Sequence, residues 1–82
     1  MNATVNESSN FYRNLYFIAE DTGVGITKIE HKAGMGSGYC SMGLRRNNSP
    51  TLRVAKRFSD ATGYTIDELI MEPKKFKALT RG

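Results

Sequence analysis

The chain has 82 residues, of which 39% are hydrophobic and 24% are charged, and its net charge is +4. One cysteine, Cys40, and one histidine, His31, exclude a disulfide within the chain and a thiolate or histidine metal site. The polar N-terminus argues against a signal peptide, and no apolar run approaches the roughly 20 residues that cross a bilayer, so we expect one soluble cytoplasmic domain.

The first half of the chain predicts a flexible tail followed by two helices. Residues 1–10 are mostly polar and form the predicted tail. From Phe11 the apolar residues recur at i, i+4 and i+7, which is the spacing of one helical face. Gly23 follows this pattern at a position where a left-handed residue ends a helix. A short second helix is predicted over 26–33 and ends at Gly34.

A tight turn and a third helix follow in the middle of the chain. The turn is predicted at 34–36, and the helix is predicted over 37–45. Gly38 and Gly43 lie within this helix, and each lowers helix propensity by about 1 kcal/mol relative to alanine. Residues 46–50 are polar and predict a loop.

Two further helices are predicted before a basic end. Either Ser49 or Thr51 caps a fourth helix that ends at Gly63. Its inward face is predicted to hold Leu52, Ala55, Phe58 and Ala61, with Val54 beside them. The pattern Thr-Ile-Asp-Glu at 65–68 is a capping box that opens a fifth helix. Pro73 ends this helix, so residues 73–82 are expected to form a basic C-terminal tail.

Basic residues are concentrated in the second half of the chain. Residues 1–44 hold three Lys or Arg and four Asp or Glu, whereas residues 45–82 hold nine and four. A basic half on a small domain favours a polyanionic partner, usually nucleic acid. The alternative is a basic surface that is merely solvated.

The succession of helix, glycine turn and helix is the most informative pattern. In a helix-turn-helix unit, glycine lets the chain bend sharply, and the second helix projects into the major groove of DNA. Inward positions are predicted at Ile29, Ala33 and Cys40, with Met35 pointing back into the core. The outward positions are small or polar, so a DNA groove could admit them.

Four short segments in this order resemble the Xre/Cro-type helix-turn-helix family of bacterial and phage regulators. The segments are residues 29–34, 38–41, 50–52 and 61–69. The resemblance implies an all-α, five-helix, lambda-repressor-like domain over 11–72. It also implies a homodimer that binds double-stranded DNA sequence-specifically and represses transcription by occupying an operator. No cofactor is expected, and no acid–base or nucleophile constellation suggests an enzyme.

The outward positions divide into expected base contacts and expected phosphate contacts. Expected base contacts are Gly36, Ser37, Gly38, Ser41, Met42 and Arg45. Expected phosphate contacts are Thr27, Lys28, Tyr39, Arg46, Asn47, Asn48 and Arg53. Arg45 suits the O6 and N7 atoms of guanine, and Met42 suits the methyl group of thymine.

Two positions depart from the family pattern. Glu30 stands where the family often has alanine, and Gly43 stands where it usually has Ile or Leu. We expect Gly43 to lie near the surface, so that an alanine there would raise stability. The alternative is that Leu44 takes the inward position and that a side chain at 43 would collide with the loop or the DNA backbone.

An alternative function is a helix-turn-helix scaffold that binds protein, as an antirepressor or antitoxin does. The glycine-rich outward face of the third helix favours it. Tyr12, Tyr16 and Phe17 lie off the main face of the first helix. They either cover edges of the core or form a partner surface.

Overall fold

A computed structural model describes residues 7–81, and its regular structure over this range consists of helices. The helices are α1 (Glu7–Thr22), α2 (Ile26–Lys32), α3 (Tyr39–Arg46), α4 (Leu52–Thr62), α5 (Ile66–Leu69) and α6 (Pro73–Arg81). The all-α prediction is confirmed, with one helix more than the five expected. Residues 7–10 of the predicted tail belong to α1, and residues 1–6 lie outside the described range. In residues 7–81, no helix is both long and apolar enough to cross a membrane.

Helix α1 is the central element, because α2, α3, α5 and α6 all pack against it. Phe11 and Leu15 are fully buried, and so is nearly all of Tyr12. The ring of Phe11 meets Tyr12 and Phe58 edge-on, with centroids 5.3 and 5.7 Å apart. Phe17 is also buried and Tyr16 is half-buried, so these aromatic residues pack on the core. Neighbours on several sides explain why α1 buries more than one face.

Asparagine side chains of α1 hold the end of α5. The Nδ2 atom of Asn14 donates hydrogen bonds to the carbonyl oxygens of Leu69 at 2.9 Å and Met71 at 2.8 Å. Asn10 donates in the same way to Ile70 at 3.2 Å. The last carbonyls of a helix lack partners within the helix, so these amides supply them and tie α5 to α1.

The predicted caps of α4 and α5 are present. Thr51 caps α4, since its hydroxyl accepts a 3.2 Å hydrogen bond from the backbone N–H of Val54. Gly63 ends α4 with φ +83°, a left-handed conformation that suits glycine. The capping box of α5 is complete, because Thr65 accepts from Glu68 N–H at 3.0 Å and donates its own N–H to the Glu68 carboxylate at 2.8 Å.

The C-terminal segment forms α6, where the sequence predicts a tail. Pro73 begins this helix rather than merely ending the preceding one, since proline fits the first helical position, where no N–H is needed. The side chain of Phe76 is fully buried, and its ring lies 6.0 Å from Phe17 and 5.1 Å from Tyr64. One buried aromatic side chain therefore docks α6 on the domain.

The predicted inward position of Leu52 is wrong. Ala55 and Phe58 are buried as expected, but Leu52 is 76% exposed. Steps of three residues drift by about 60° around a helix that turns about 100° per residue. Leu52 therefore lies about 120° away from Phe58 and beyond the edge of the buried face.

Candidate nucleic-acid interface

The turn between α2 and α3 has the geometry of a Schellman motif. Gly34 takes the left-handed conformation with φ +80°, and its N–H donates to the carbonyl of His31 at 2.9 Å. The N–H of Met35 donates to the carbonyl of Glu30 at 2.8 Å. These two bonds satisfy the end of α2 and reverse the chain. Met35 packs against the core, as the sequence predicts.

The Glu30 carboxylate joins α2 to the start of α3. Its side chain is only 1% exposed. Oε1 accepts a 3.0 Å hydrogen bond from the N–H of Gly38, and Oε2 accepts a 2.8 Å bond from the N–H of Cys40. Gly38 is the cap residue of α3 and has no side chain that could do this. A negative charge at this position also complements the positive end of the helix dipole.

Cys40 is fully buried beside this carboxylate, as predicted for an inward residue. Burial raises the pKa of the thiol, and the nearby Glu30 carboxylate raises it further. A thiol that stays protonated is a poor nucleophile. Cys40 therefore acts as a small core residue at the contact between α3 and the rest of the domain.

Gly43 lies against α1, so the expectation that it lies near the surface is wrong. A Cβ atom at this position would lie 2.7 Å from Cε2 and 2.8 Å from Cε1 of Tyr12. Gly43 follows Cys40 by three residues and shares its inward face. The obstacle within the domain is the Tyr12 ring and not the loop. Leu44 is half-buried and packs against the core, but Gly43 itself holds the inward position.

The expected base-contact residues are all exposed, but they do not all belong to a helix. Helix α3 begins at Tyr39 and not at residue 37. Gly38 has φ +86°, which is incompatible with a helix interior, so residues 36–38 belong to the preceding turn. The hydroxyl of Ser37 lies 2.9 Å from Nε2 of His31, and this contact links the turn to α2. The exposed side chains within α3 are Ser41, Met42, Arg45 and Arg46.

The expected phosphate-contact residues are exposed in three places, with one exception. Exposed side chains occur in the first turn of α2, around the end of α3, and at the start of α4; they are Thr27, Lys28, Arg46, Asn47, Asn48 and Arg53. Asn47 ends α3 in the left-handed conformation with φ +54°. Tyr39 is the exception, because it is half-buried and its ring stacks on Phe58 at 5.9 Å. Its ring therefore packs in the core, and only its polar edge could reach a phosphate.

A cavity of about 290 Å³ opens beside the start of α3, which the sequence analysis did not foresee. Its walls are Tyr12, Gly36, Ser37, Gly38, Tyr39, Met42, Gly43 and Asn48. Gly36 and Gly38 are exposed, and a Cβ at either would meet nothing within 4 Å, so they leave open space that side chains would otherwise fill. Glycine in the turn thus creates room for close approach as well as a bend.

No family model matches this chain, and searches of curated proteins and of solved structures found no similar protein.

Proposed function

We propose that the protein is a sequence-specific DNA-binding transcriptional regulator that places α3 in the major groove and represses by occupying an operator. The observation that carries the proposal is the difference between the two sides of α3, one packed on the domain and the other exposed. Its inner side is held by the Glu30 carboxylate and by the contact of Gly43 with Tyr12. Its outer side presents exposed polar and basic side chains. A rigidly held helix with a free outer face suits recognition of base edges.

Arg45 is the proposed principal base reader. It is exposed in the last turn of α3 and can form paired hydrogen bonds with guanine O6 and N7. Met42 is 41% exposed and offers an apolar contact for a thymine methyl group. Ser37 and Ser41 can each donate to or accept from a base.

Residues at the two ends of the helix-turn-helix unit are the proposed phosphate contacts. Thr27 and Lys28 lie in the first turn of α2, and Arg46 lies in the last turn of α3. Such contacts set the position of a protein on the duplex without reading its sequence. One small module buries little DNA surface, so we propose that two copies bind together on a palindromic site.

The proposal is tested with a fluorescent pool of random-sequence duplexes titrated at several salt concentrations. Each phosphate contact contributes about 0.9 to the slope of log affinity against log salt. Lys28→Ala and Arg46→Ala should each lower the slope by about this amount, and Lys56→Ala serves as a matched control. Lys56 is exposed and pairs with Asp60 on α4. Equal slopes for all three variants would contradict the assignment of phosphate contacts.

A helix-turn-helix scaffold for protein binding, of the antirepressor or antitoxin kind, is the second candidate. Gly36 and Gly38 are exposed and offer no side chains that could read bases, which favours a protein partner. Exposed tyrosines in α1 do not support this second candidate, because Tyr12 is buried and Tyr16 is half-buried. A chain that fails to bind the duplex pool even at low salt would favour this second function.

A further inference from the structure

A second basic surface lies outside the helix-turn-helix unit. Helix α1, the start of α2 and helix α6 enclose a cavity of about 530 Å³, which we term the α1–α6 groove. Its principal walls are Arg13, Tyr16, Phe17, Ile26, Pro73 and Lys77. Nothing in the proposed contacts of α3 uses this groove. It exists because α6 folds back on α1 through the buried Phe76 side chain.

The groove carries cations that have no acidic partner within residues 7–81. Arg13 and Lys77 are exposed on opposite walls, and neither forms a salt bridge with a described residue. The Lys77 ammonium lies 5.4 Å from the centroid of the Phe17 ring, which fixes it over the groove. Lys74 and Lys75 add exposed positive charge on α6. Glu20 also lines the groove, so positive charge exceeds negative charge there.

The groove adjoins the proposed DNA-binding surface at two points. Tyr16 on its wall belongs to α1, which packs against α3. Gly25 and Ile26 on another wall immediately precede Thr27 and Lys28. A DNA strand that contacts the start of α2 therefore passes close to the mouth of the groove.

We propose that the α1–α6 groove binds a phosphate of the DNA backbone, with Arg13 and Lys77 as its cations. This inference rests on the proposed DNA-binding function and extends it to α6. Arg13 can grip a phosphate with two parallel hydrogen bonds, and Lys77 supplies a compact positive charge. Such a contact adds affinity and fixes orientation without reading bases. It gives α6 a role in binding in addition to packing.

The test compares charge-neutral variants in the random-duplex titration. Arg13→Gln combined with Lys77→Gln removes two cations and keeps two methylene groups of each side chain. Lys56→Gln combined with Arg57→Gln removes two cations from α4 and is the matched control. Loss of two phosphate contacts lowers the slope of log affinity against log salt by about 1.8. Between 50 and 200 mM salt, the affinity of the wild type should therefore fall about 12-fold more than the affinity of the groove variant. Lys77→Gln alone should lower the slope by about 0.9, and Lys77→Arg should restore it.

The outcomes separate this inference from the proposed function. In one outcome, the wild type binds duplex with a steep salt dependence while the groove variant shows the same salt slope as the control variant. That result would contradict the phosphate contact in the groove and leave the proposed DNA binding intact. A wild-type chain that binds no duplex at 50 mM salt would overturn both. Thermal melts of each variant establish that a change in slope does not come from unfolding.

Discussion

The Oε2 atom of Glu30 accepts a 2.8 Å hydrogen bond from the backbone N–H of Cys40, across the turn that joins α2 to α3. The same carboxylate accepts a second bond from Gly38, so one buried side chain satisfies two N–H groups at the start of α3. An alanine at this position could not make these bonds. In this protein the carboxylate is what sets α3 relative to α2.

Replacing Glu30 with alanine should therefore destabilise the fold. The N–H groups of Gly38 and Cys40 would lose their acceptor, and an unsatisfied buried donor costs about 1–3 kcal/mol. Glu30→Gln keeps one acceptor oxygen and should lose less. Urea unfolding measures the change, with the exposed Asp67→Ala as a control for removal of a carboxylate. A Glu30→Ala chain as stable as the wild type would contradict the capping role.

Gly43→Ala should lower stability, although alanine favours a helix by about 1 kcal/mol over glycine. The added methyl group meets the buried Tyr12 ring, and overpacking of this kind costs about 1–3 kcal/mol. Gly25→Ala is the control, since a Cβ there meets nothing within 4 Å. In a Tyr12→Leu background, the loss caused by Gly43→Ala should shrink. A higher melting temperature for Gly43→Ala would contradict this prediction and show that the Tyr12 ring moves aside at little cost.

Phe76→Ala should strongly destabilise the domain because it empties the contact that docks α6. Truncation of a buried phenylalanine costs about 3–5 kcal/mol. Leu79→Ala, in the same helix but 47% exposed, should cost much less. Circular dichroism melts of the two variants provide the comparison. Equal and small effects would mean that residues 73–82 behave as the tail that the sequence first suggested.

Stability should fall as the pH rises above about 9. Burial and the Glu30 carboxylate raise the pKa of Cys40 above its ordinary value of 9.0, so the folded chain keeps a proton that the unfolded chain releases. The contribution of this thiol to the free energy of unfolding is complete below pH 9.0 and is lost as the pH rises. Cys40→Ala should show a shallower decline between pH 8.5 and 10 in urea unfolding. An identical decline in both chains would rule out the thiol as its source.

Features that depend on neighbouring residues were predictable from the sequence. Thr65 and Glu68 form their capping box within four residues, and Gly34 ends α2 by adopting a backbone conformation that glycine permits. Neither depends on the rest of the fold. The helical spacing of apolar residues and the helix-turn-helix pattern likewise predicted the burial of Ile29 and Cys40.

Features that depend on distant residues were not predictable. Nothing in the sequence indicates that Gly43 faces Tyr12, because these residues meet only when α3 packs on α1. Asn14 resembles a polar surface residue until α5 places the Leu69 carbonyl beside it. From the sequence, Pro73 could end one helix or start another, and only the burial of Phe76 decides in favour of α6.

Selection of bound sites from random duplexes by the wild-type chain and by Arg45→Ala tests the central claim most directly. The wild type should enrich a palindromic site, since two copies related by symmetry read two half-sites. Arg45→Ala should lose preference at one base pair in each half-site, where guanine is expected, and bind the enriched site about 5- to 150-fold more weakly, which corresponds to about 1–3 kcal/mol. Enrichment of no sequence by the wild type, or of the same sequence with the same affinity by Arg45→Ala, would contradict base reading through α3.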